Sequence, residues 1–323
     1  MPSLTSMPEL VMNEILKNLD FRQVQTLRKV CRDLRNFIDD NKPDAKLKEI
    51  GLEAHNTYIF VVYKNCEKTY HVEYGVRGCT HGIFFEKTLR NQNYVDAFLK
   101  DIAIILSFQN STLNNLSLYQ RGNANDNYSK TLGVLTSLRN SRKTLLKTKE
   151  LIVDVLDEHQ MLSVLPCLDS NVLEIIEIRD PHESLSTPIE ADQLVTLRHW
   201  KKAKEIRVCT KRFSYRLEDF KHLSRVMWFL DRLLVEQVEN VKKTFLHSST
   251  TNYFYFYFQN FENEKEYLRS LGRPYETDGN KVWYFRMKDS SEILEITRLY
   301  RYKAIIFNRI LVSDVPEGSV IQD

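Results

Sequence analysis

Three stretches of this chain repeat one spacing: Leu113-x-x-Leu116-x-Leu118, Leu173-x-x-Ile176-x-Ile178 and Ala203-x-x-Ile206-x-Val208. Leu151-x-Val153-x-Val155 fits the second half of it. Apolar residues two apart project from one face of a strand, so the spacing predicts β-strands with one buried face. Helical segments fill the gaps, and the last position recurs at irregular intervals of roughly thirty residues, near the period of repeats that each supply one strand and one helix. Two architectures satisfy this pattern: a stacked repeat, and a general α/β sheet with parallel strands.

A chain of 323 residues, 42% hydrophobic and 28% charged, buries a core without disulfides or metals. Its net charge of +3 does not demand a nucleic-acid or membrane partner, and nine glycines are too few for a glycine-rich phosphate loop. Cys31, Cys66, Cys79, Cys167 and Cys209 are odd in number, widely spaced and lack a C-x-x-C pair, which predicts a reducing compartment, cytoplasm or nucleus. Pro2, Pro8 and Glu9 stand where a signal peptide carries a basic region and an apolar run. The longest uncharged stretch, Ile102 to Gln120, holds Gln109, Asn110, Asn114 and Asn115, whose amides are costly in hydrocarbon, so no membrane partner is expected.

The first forty residues read as two or three short helices. Ser6 with Glu9 forms a capping box with Pro8 in the first turn, which predicts a helix from near Met7. Val11, Ile15 and Leu19, flanked by Met12 and Leu16, give it a wide apolar face. Asp20 with Gln23 caps a second helix carrying Val24, Leu27, Val30 and Leu34, and the segment stops between Asp39 and Pro43. The string Met7-Pro8-Glu9-Leu10-Val11, Ile15-Leu16, Leu19-Asp20, Val24, Leu27-Arg28-Lys29-Val30-Cys31-Arg32 and Leu34-Arg35 resembles the F-box, with Met7 in place of the usual Leu and Leu34 where many members carry Trp. The resemblance implies binding to a Skp-type linker protein and through it to a cullin scaffold. Met7, Pro8, Val11, Ile15, Leu16 and Leu19 are carried over as linker contacts, with Val30 and Leu34 read as internal.

After Pro43, Thr57 to Tyr63, Thr69 to Tyr74 and Gly82 to Phe85 predict a small β meander, and Tyr94 to Phe108 a helix with Phe98, Ile102, Ile105 and Leu106 inward. In Tyr253-Phe254-Tyr255-Phe256-Tyr257-Phe258, strict alternation puts three Phe on one face, expected inward, and three Tyr on the other. Those Tyr rings either form a recognition surface or are buried between layers. Arg198, Lys201, Lys202, Lys204, Arg207, Lys211, Arg212 and Arg216 crowd one segment with Trp200, Phe213 and Tyr215 interleaved. A solvated face, a site for an acidic or phosphorylated segment, and an RNA contact all fit that cluster.

Trp200-Lys201-Lys202-Ala203-Lys204-Glu205-Ile206, Asp219-Phe220 and Leu271-Gly272-Arg273 resemble the FTH domain, a nematode-type module that follows an F-box in an expanded family. The likeness implies a substrate-recruiting domain. Chemistry is sparsely represented: Cys66, His71, Cys79 and His81 match no common zinc spacing, His182-Glu183 lacks a second His at zincin spacing, and no G-x-S-x-G occurs, so no metal, cofactor or catalytic residue is expected.

The sequence therefore predicts a mixed α and β chain: a small helical F-box (1–45), a β-rich connector (46–92), an irregular leucine-rich-repeat-like, FTH-like α/β domain that recruits substrate (93–312) and a tail (313–323). The expected function is that of a non-catalytic substrate adaptor in an SCF-type ubiquitin ligase complex, acting in protein degradation. Substrate contacts are expected at Tyr119, Arg179, Arg207, Tyr253, Tyr255 and Tyr257 on the face opposite the apolar template, with Lys201, Lys202 and Lys204 at its rim. The alternative is an RNA or ribonucleoprotein-binding module built on the basic segment and the Tyr ladder.

Overall fold

A computed structural model describes residues 7–76, 78–81, 85–87, 93–123, 125–142, 144–181, 189–209, 213–214, 216–288 and 291–322. The chain divides into two compact units, one of Met1–Asp154 and His159–Leu173, the other of Val155–Glu158 and Glu174–Asp323.

In the first unit, three helices, α1 (Glu9–Asn18), α2 (Phe21–Leu27) and α3 (Arg32–Asn41), precede a sheet. The helix predicted from near Met7 begins at Glu9, with Pro8 rather than Ser6 as its N-cap, no side-chain cap bond, and the Pro8 carbonyl accepting from Val11 and Met12; Ser6 lies outside the described residues. The capping box expected at Asp20 is present: Asp20 Oδ1 accepts from the Gln23 amide and Gln23 Oε1 from the Asp20 amide, both at 2.8 Å. Met12, Leu16, Val24, Leu34 and Ile38 form the helical core, and Arg28 grips Asp39 at 2.6 and 2.9 Å to join α2 to α3.

The strands that follow are β1 (Glu49–Ala54), β2 (Tyr58–Lys64), β3 (Thr69–Gly75), β4 (Gly78–His81), β5 (Phe85–Lys87), β6 (Leu113–Gln120) and β7 (Thr148–Asp154). Between them run α4 (Tyr94–Phe108) and α5 (Asn125–Ser141), and α6 (Glu158–Val164) comes after β7. Spatial order is β7-β6-β1-β2-β3-β4-β5, parallel from β1 to β7 through β6 and antiparallel across the meander. The meander and the parallel strands thus share one sheet through β1, a strand the sequence reading missed. Gly82, Ile83 and Phe84 of the expected third meander strand lie outside the described residues. The helix expected over 94–108 forms, capped by Asn93, with Phe98, Ile102 and Leu106 fully buried.

A buried glutamine fastens the helical segment to this sheet. Gln109 Oε1 accepts from the Leu47 amide at 3.1 Å, while its Nε2 donates to the Leu47 carbonyl, the Ser111 carbonyl and Ser111 Oγ. Alongside, Asp44 Oδ1 takes the amides of Asn110 and Ser111, and the Ala45 amide reaches the Phe108 carbonyl.

In the second unit the strands are β8 (Ile175–Arg179), β9 (Ile189–Glu190), β10 (Glu205–Cys209), β11 (Phe213–Ser214), β12 (Arg225–Leu233), β13 (Tyr253–Phe261), β14 (Tyr275–Thr277), β15 (Asn280–Arg286), β16 (Glu292–Leu299), β17 (Ala304–Leu311) and β18 (Ile321–Gln322). The helices are α7 (Arg198–Lys202), α8 (Val235–His247) and α9 (Glu264–Ser270). Strands β8, β10, β12 and β13 are parallel neighbours, and β13-β17-β16-β15-β14 continues antiparallel. β18 adds parallel to β15, and β9 pairs with β11 apart from this sheet.

The apolar spacing seen in the sequence stands in register within each unit. Ile50, Leu116 and Leu151 align in the first; Ile176, Ile206, Val226 and Phe254 align in the second, followed by Ile178, Val208, Trp228 and Phe256. All are buried. Entry to β10, β12 and β13 uses the same bond pattern: the Glu174 carbonyl accepts from Lys204 and Glu205, that of Lys204 from Ser224 and Arg225, and that of Ser224 from Asn252 and Tyr253. The Lys48 carbonyl does the same for Asn114 and Asn115. Beyond β13 the antiparallel strands end the pattern. In the segment read as a tail, Val315 and Ile321 pack against Val282, Tyr284 and Ile293.

Replacing Gln109 by Ala leaves the buried Leu47 amide and carbonyl unpaired and is expected to cost about 2–4 kcal/mol. Urea denaturation checks this, and an unchanged midpoint would count against the fastening. Burial alone would raise the Asp20 carboxyl, but bonds from the Gln23 amide, Lys68 and Tyr70 outweigh it and hold it below its ordinary value. The stability it contributes is present above the ordinary carboxylate pKa and lost as pH falls through the lowered one. Asp20→Asn should therefore flatten the acid limb of a melting-temperature profile.

Candidate functional site

Two surfaces carry the chemistry, one in each unit. On α1, Leu10 is 78% exposed, and Val11 and Met7 are exposed beside it, whereas Leu16 is part of the helical core. Ile15 and Leu19 are half-buried and Pro8 is exposed. Of the six residues carried over as linker contacts, Met7, Pro8 and Val11 thus stand open to a partner, Ile15 and Leu19 partly so, and Leu16 does not. Leu10, which the sequence reading passed over, is the most exposed apolar residue of this helix, and its place one residue before Val11 was the available signal. Val30, expected inside with Leu34, is 66% exposed because α2 ends at Leu27 and a turn carries Val30 outward; Leu34 is buried.

In the second unit the face opposite the apolar ladder carries an alternating row of charges. Arg179 bonds Glu177 at 2.6 Å through Nε, Arg207 joins Glu177 at 3.0 Å and Glu205 at 2.6 Å, and Arg225 lies 3.6 Å from Glu205. The register explains the order, since Glu177 pairs with Arg207 and Glu205 with Arg225 on adjacent parallel strands. The row continues into aromatic rings: the Arg225 guanidinium sits 5.3 Å from the centre of the Tyr253 ring, Tyr255 and Tyr257 lie 4.3 Å apart, and Phe229 stacks on Tyr257 at 4.3 Å. Such packing of cation, carboxylate and ring satisfies side chains on the open face of a sheet that would otherwise need a covering layer.

Phe254, Phe256 and Phe258 point inward and are buried, as the alternation predicts. The three tyrosines do not share one environment: Tyr253 and Tyr257 are half-buried and Tyr255, between Met227 and Ile306 on its neighbours, is only 9% exposed. Burial pushes the Tyr255 hydroxyl well above its ordinary pKa, with Tyr257 adding to the rise, and burial raises Tyr253 as well. Tyr255 therefore supports its neighbours and is a poor anchor. Arg207 is likewise committed within the chain to Glu177 and Glu205. Tyr302, 58% exposed, was absent from the sequence reading because it lies in the turn between β16 and β17, which no strand pattern marks.

The remaining expected contacts sit elsewhere. Lys201 and Lys202 are exposed on α7, but that helix inserts Trp200 against Phe220, which lies on Trp228 of the apolar ladder. The two lysines are therefore on the helix side of the sheet, opposite Arg207 and the tyrosines, and do not form the rim expected of them. Lys204 pairs with Glu174 at 3.0 Å. Trp200 is buried, donating to the Asp219 carbonyl, so of the aromatics interleaved in the basic segment this one is not placed to stack on a base. Lys211, Arg212 and Tyr215 lie outside the described residues. Tyr119, on β6 of the first unit, is half-buried beneath the Arg121 guanidinium at 4.7 Å.

Among the described residues no group of three or more His, Cys, Asp or Glu could hold a metal, and the Cys79 and His81 side chains lie outside them. The Cys209 thiol beside the charged row is pushed up to about 11 by burial and by the Glu177 carboxylate, so it stays protonated at neutral pH. No helix among the described residues is long and apolar enough to cross a membrane.

Comparison with known families matches residues 4–46 to the F-box domain and residues 129–274 to the FTH domain. No curated protein and no solved structure matches the chain.

Glu177 is the hub of the charged row, with a side chain only 7% exposed. Glu177→Ala removes the carboxylate that Arg179 and Arg207 share and is expected to destabilise the second unit by about 2–3 kcal/mol, less than a fully buried pair because both arginines reach solvent and Arg207 keeps Glu205. Equal denaturation curves for variant and wild type would show the row to be ornamental.

Proposed function

We propose that this chain, with an F-box domain ahead of an FTH domain, is the substrate-recruiting adaptor of an SCF-type ubiquitin ligase. F-box domains bind a Skp-type linker that joins a cullin scaffold, and the chain itself then needs no catalytic residue. The observation that carries the linker half of this reading is the apolar side chain of Leu10, standing with Val11 on one exposed helix face while Met12 and Leu16 hold the same helix to its core. An apolar stripe left open on a short helix is what a partner groove covers.

The recruiting half rests on the second-unit face that begins at Arg225 and runs over Tyr253, Phe229 and Tyr257 toward Tyr302. Half-exposed rings held in place by neighbours lose little side-chain entropy on contact, and an arginine at their edge adds directional bonds to an acidic or phosphorylated segment. We read the in-register parallel strands as irregular, leucine-rich-repeat-like units whose purpose is to present that face, and the cytoplasm or nucleus as the place of action.

Leu10→Asp and Val11→Asp should each abolish capture of a linker and cullin while leaving the melting temperature within a degree or two, because both side chains lie outside the helical core. Leu16→Asp should unfold the helical segment. Capture at the wild-type level by both surface variants would refute the assignment. The pair Tyr257→Ala and Arg225→Ala should remove captured substrates and retain the linker; an unchanged substrate set would place recruitment elsewhere.

A further inference from the structure

Where the N-terminal helices meet the first-unit sheet there is a cleft of about 430 Å³, the size of a small-molecule site. Its apolar lining comes from four elements: Phe21 of α2, Tyr63 of β2, Val72 and Tyr74 of β3, and Ile104 and Ile105 of α4. Phe21 and Tyr63 approach at 5.5 Å, and Tyr74 closes one side by donating its hydroxyl to Asp101 at 2.9 Å.

The charges around the cleft are unequal. Arg28 is neutralised by Asp39, and Asp101 is engaged by Tyr74. Arg22 and Lys29, which also line it, have no ion pair among the described residues. Gln25, between them on α2, has its Nε2 buried with no acceptor, an unsatisfied donor in the same wall. An aromatic and aliphatic interior with two uncommitted cations calls for a ligand with an apolar body and one anionic group.

We propose that this cleft binds a small organic anion, an aryl or alkyl carboxylate or its sulfonate or phosphate equivalent. The apolar body occupies the space between Phe21, Tyr74 and Ile104, and the anionic group lies at Arg22 and Lys29. A ligand held there touches α2, β3 and α4 together, so its binding stabilises the docking of the helical segment on the sheet. The site is separate from the Leu10 and Val11 face, and its test does not depend on linker binding.

The full chain is titrated with 8-anilinonaphthalene-1-sulfonate, an aromatic anion whose fluorescence reports an apolar site. Saturable binding to one site is expected, displaced by 1-naphthoate and not by the neutral 1-naphthalenemethanol, with a rise in melting temperature on addition of 1-naphthoate. Ile104→Trp fills the cleft and should abolish binding. Arg22→Glu with Lys29→Glu should weaken it at least tenfold; these exposed side chains make no ion pair among the described residues, so this variant decides the matter if Ile104→Trp does not fold. The proposal is overturned if the dye fails to saturate, if the charge-reversed chain binds as wild type, if a folded Ile104→Trp chain still binds, or if the neutral alcohol competes as well as the carboxylate.

Discussion

Gln109 is the residue on which the first unit's geometry depends. It lies at the C-terminal end of α4, almost fully buried, and its amide satisfies both polar groups of Leu47, the residue through which the chain passes from the helical segment into β1. A flexible junction would leave the helices free to swing. Here the junction is bonded on both sides of Leu47, with Asp44 and Ala45 fixed to the same turn, so the exposed face of α1 is held at a set angle to the first-unit sheet. Local opening of the helices would have to break buried hydrogen bonds together, which makes docked and undocked states discrete.

That fixed docking also creates the cleft beside α2. Small helices packed beside β2 and β3 bury their own core through Met12, Leu16, Val24, Leu34 and Ile38, and this leaves little apolar surface to fill the corner toward β3. Asp20 bridges the corner through Lys68 and Tyr70 at 3.3 Å, a polar strut that keeps the walls apart.

In the second unit the constraint is the parallel sheet itself. Parallel strands are usually covered on both faces, and here helices and 3-10 turns cover one. On the other, glutamates and arginines from successive strands pair across the ladder and hand over to tyrosine rings, so the exposed backbone is shielded by side chains that satisfy each other. The C-terminal segment covers the far end through Val315 and Ile321. Beside Arg225 the rings of Phe229, Tyr253 and Tyr257 stay half-buried.

Elements whose cause is local were legible from the residues alone. The Asp20 to Gln23 cap, the helix over 94–108, the inward Phe254, Phe256 and Phe258, and the spacing of Leu113, Leu116 and Leu118 all follow from bonds or periodicities spanning a few residues. β1 escaped notice because Gly51 and two glutamates dilute its strand signal, while its buried Ile50, Leu52 and Ala54 gain their meaning only from Leu116 and Leu118 across the ladder. Tertiary structure alone decided which polar residues are available: Arg207 is tied by Glu177, Tyr255 is covered by neighbours, Trp200 is turned into the core, and Leu10 is left outside. The side of a sheet on which a lysine lies, and whether an arginine already has a partner, depend on residues tens of positions away, and no spacing within one segment encodes them.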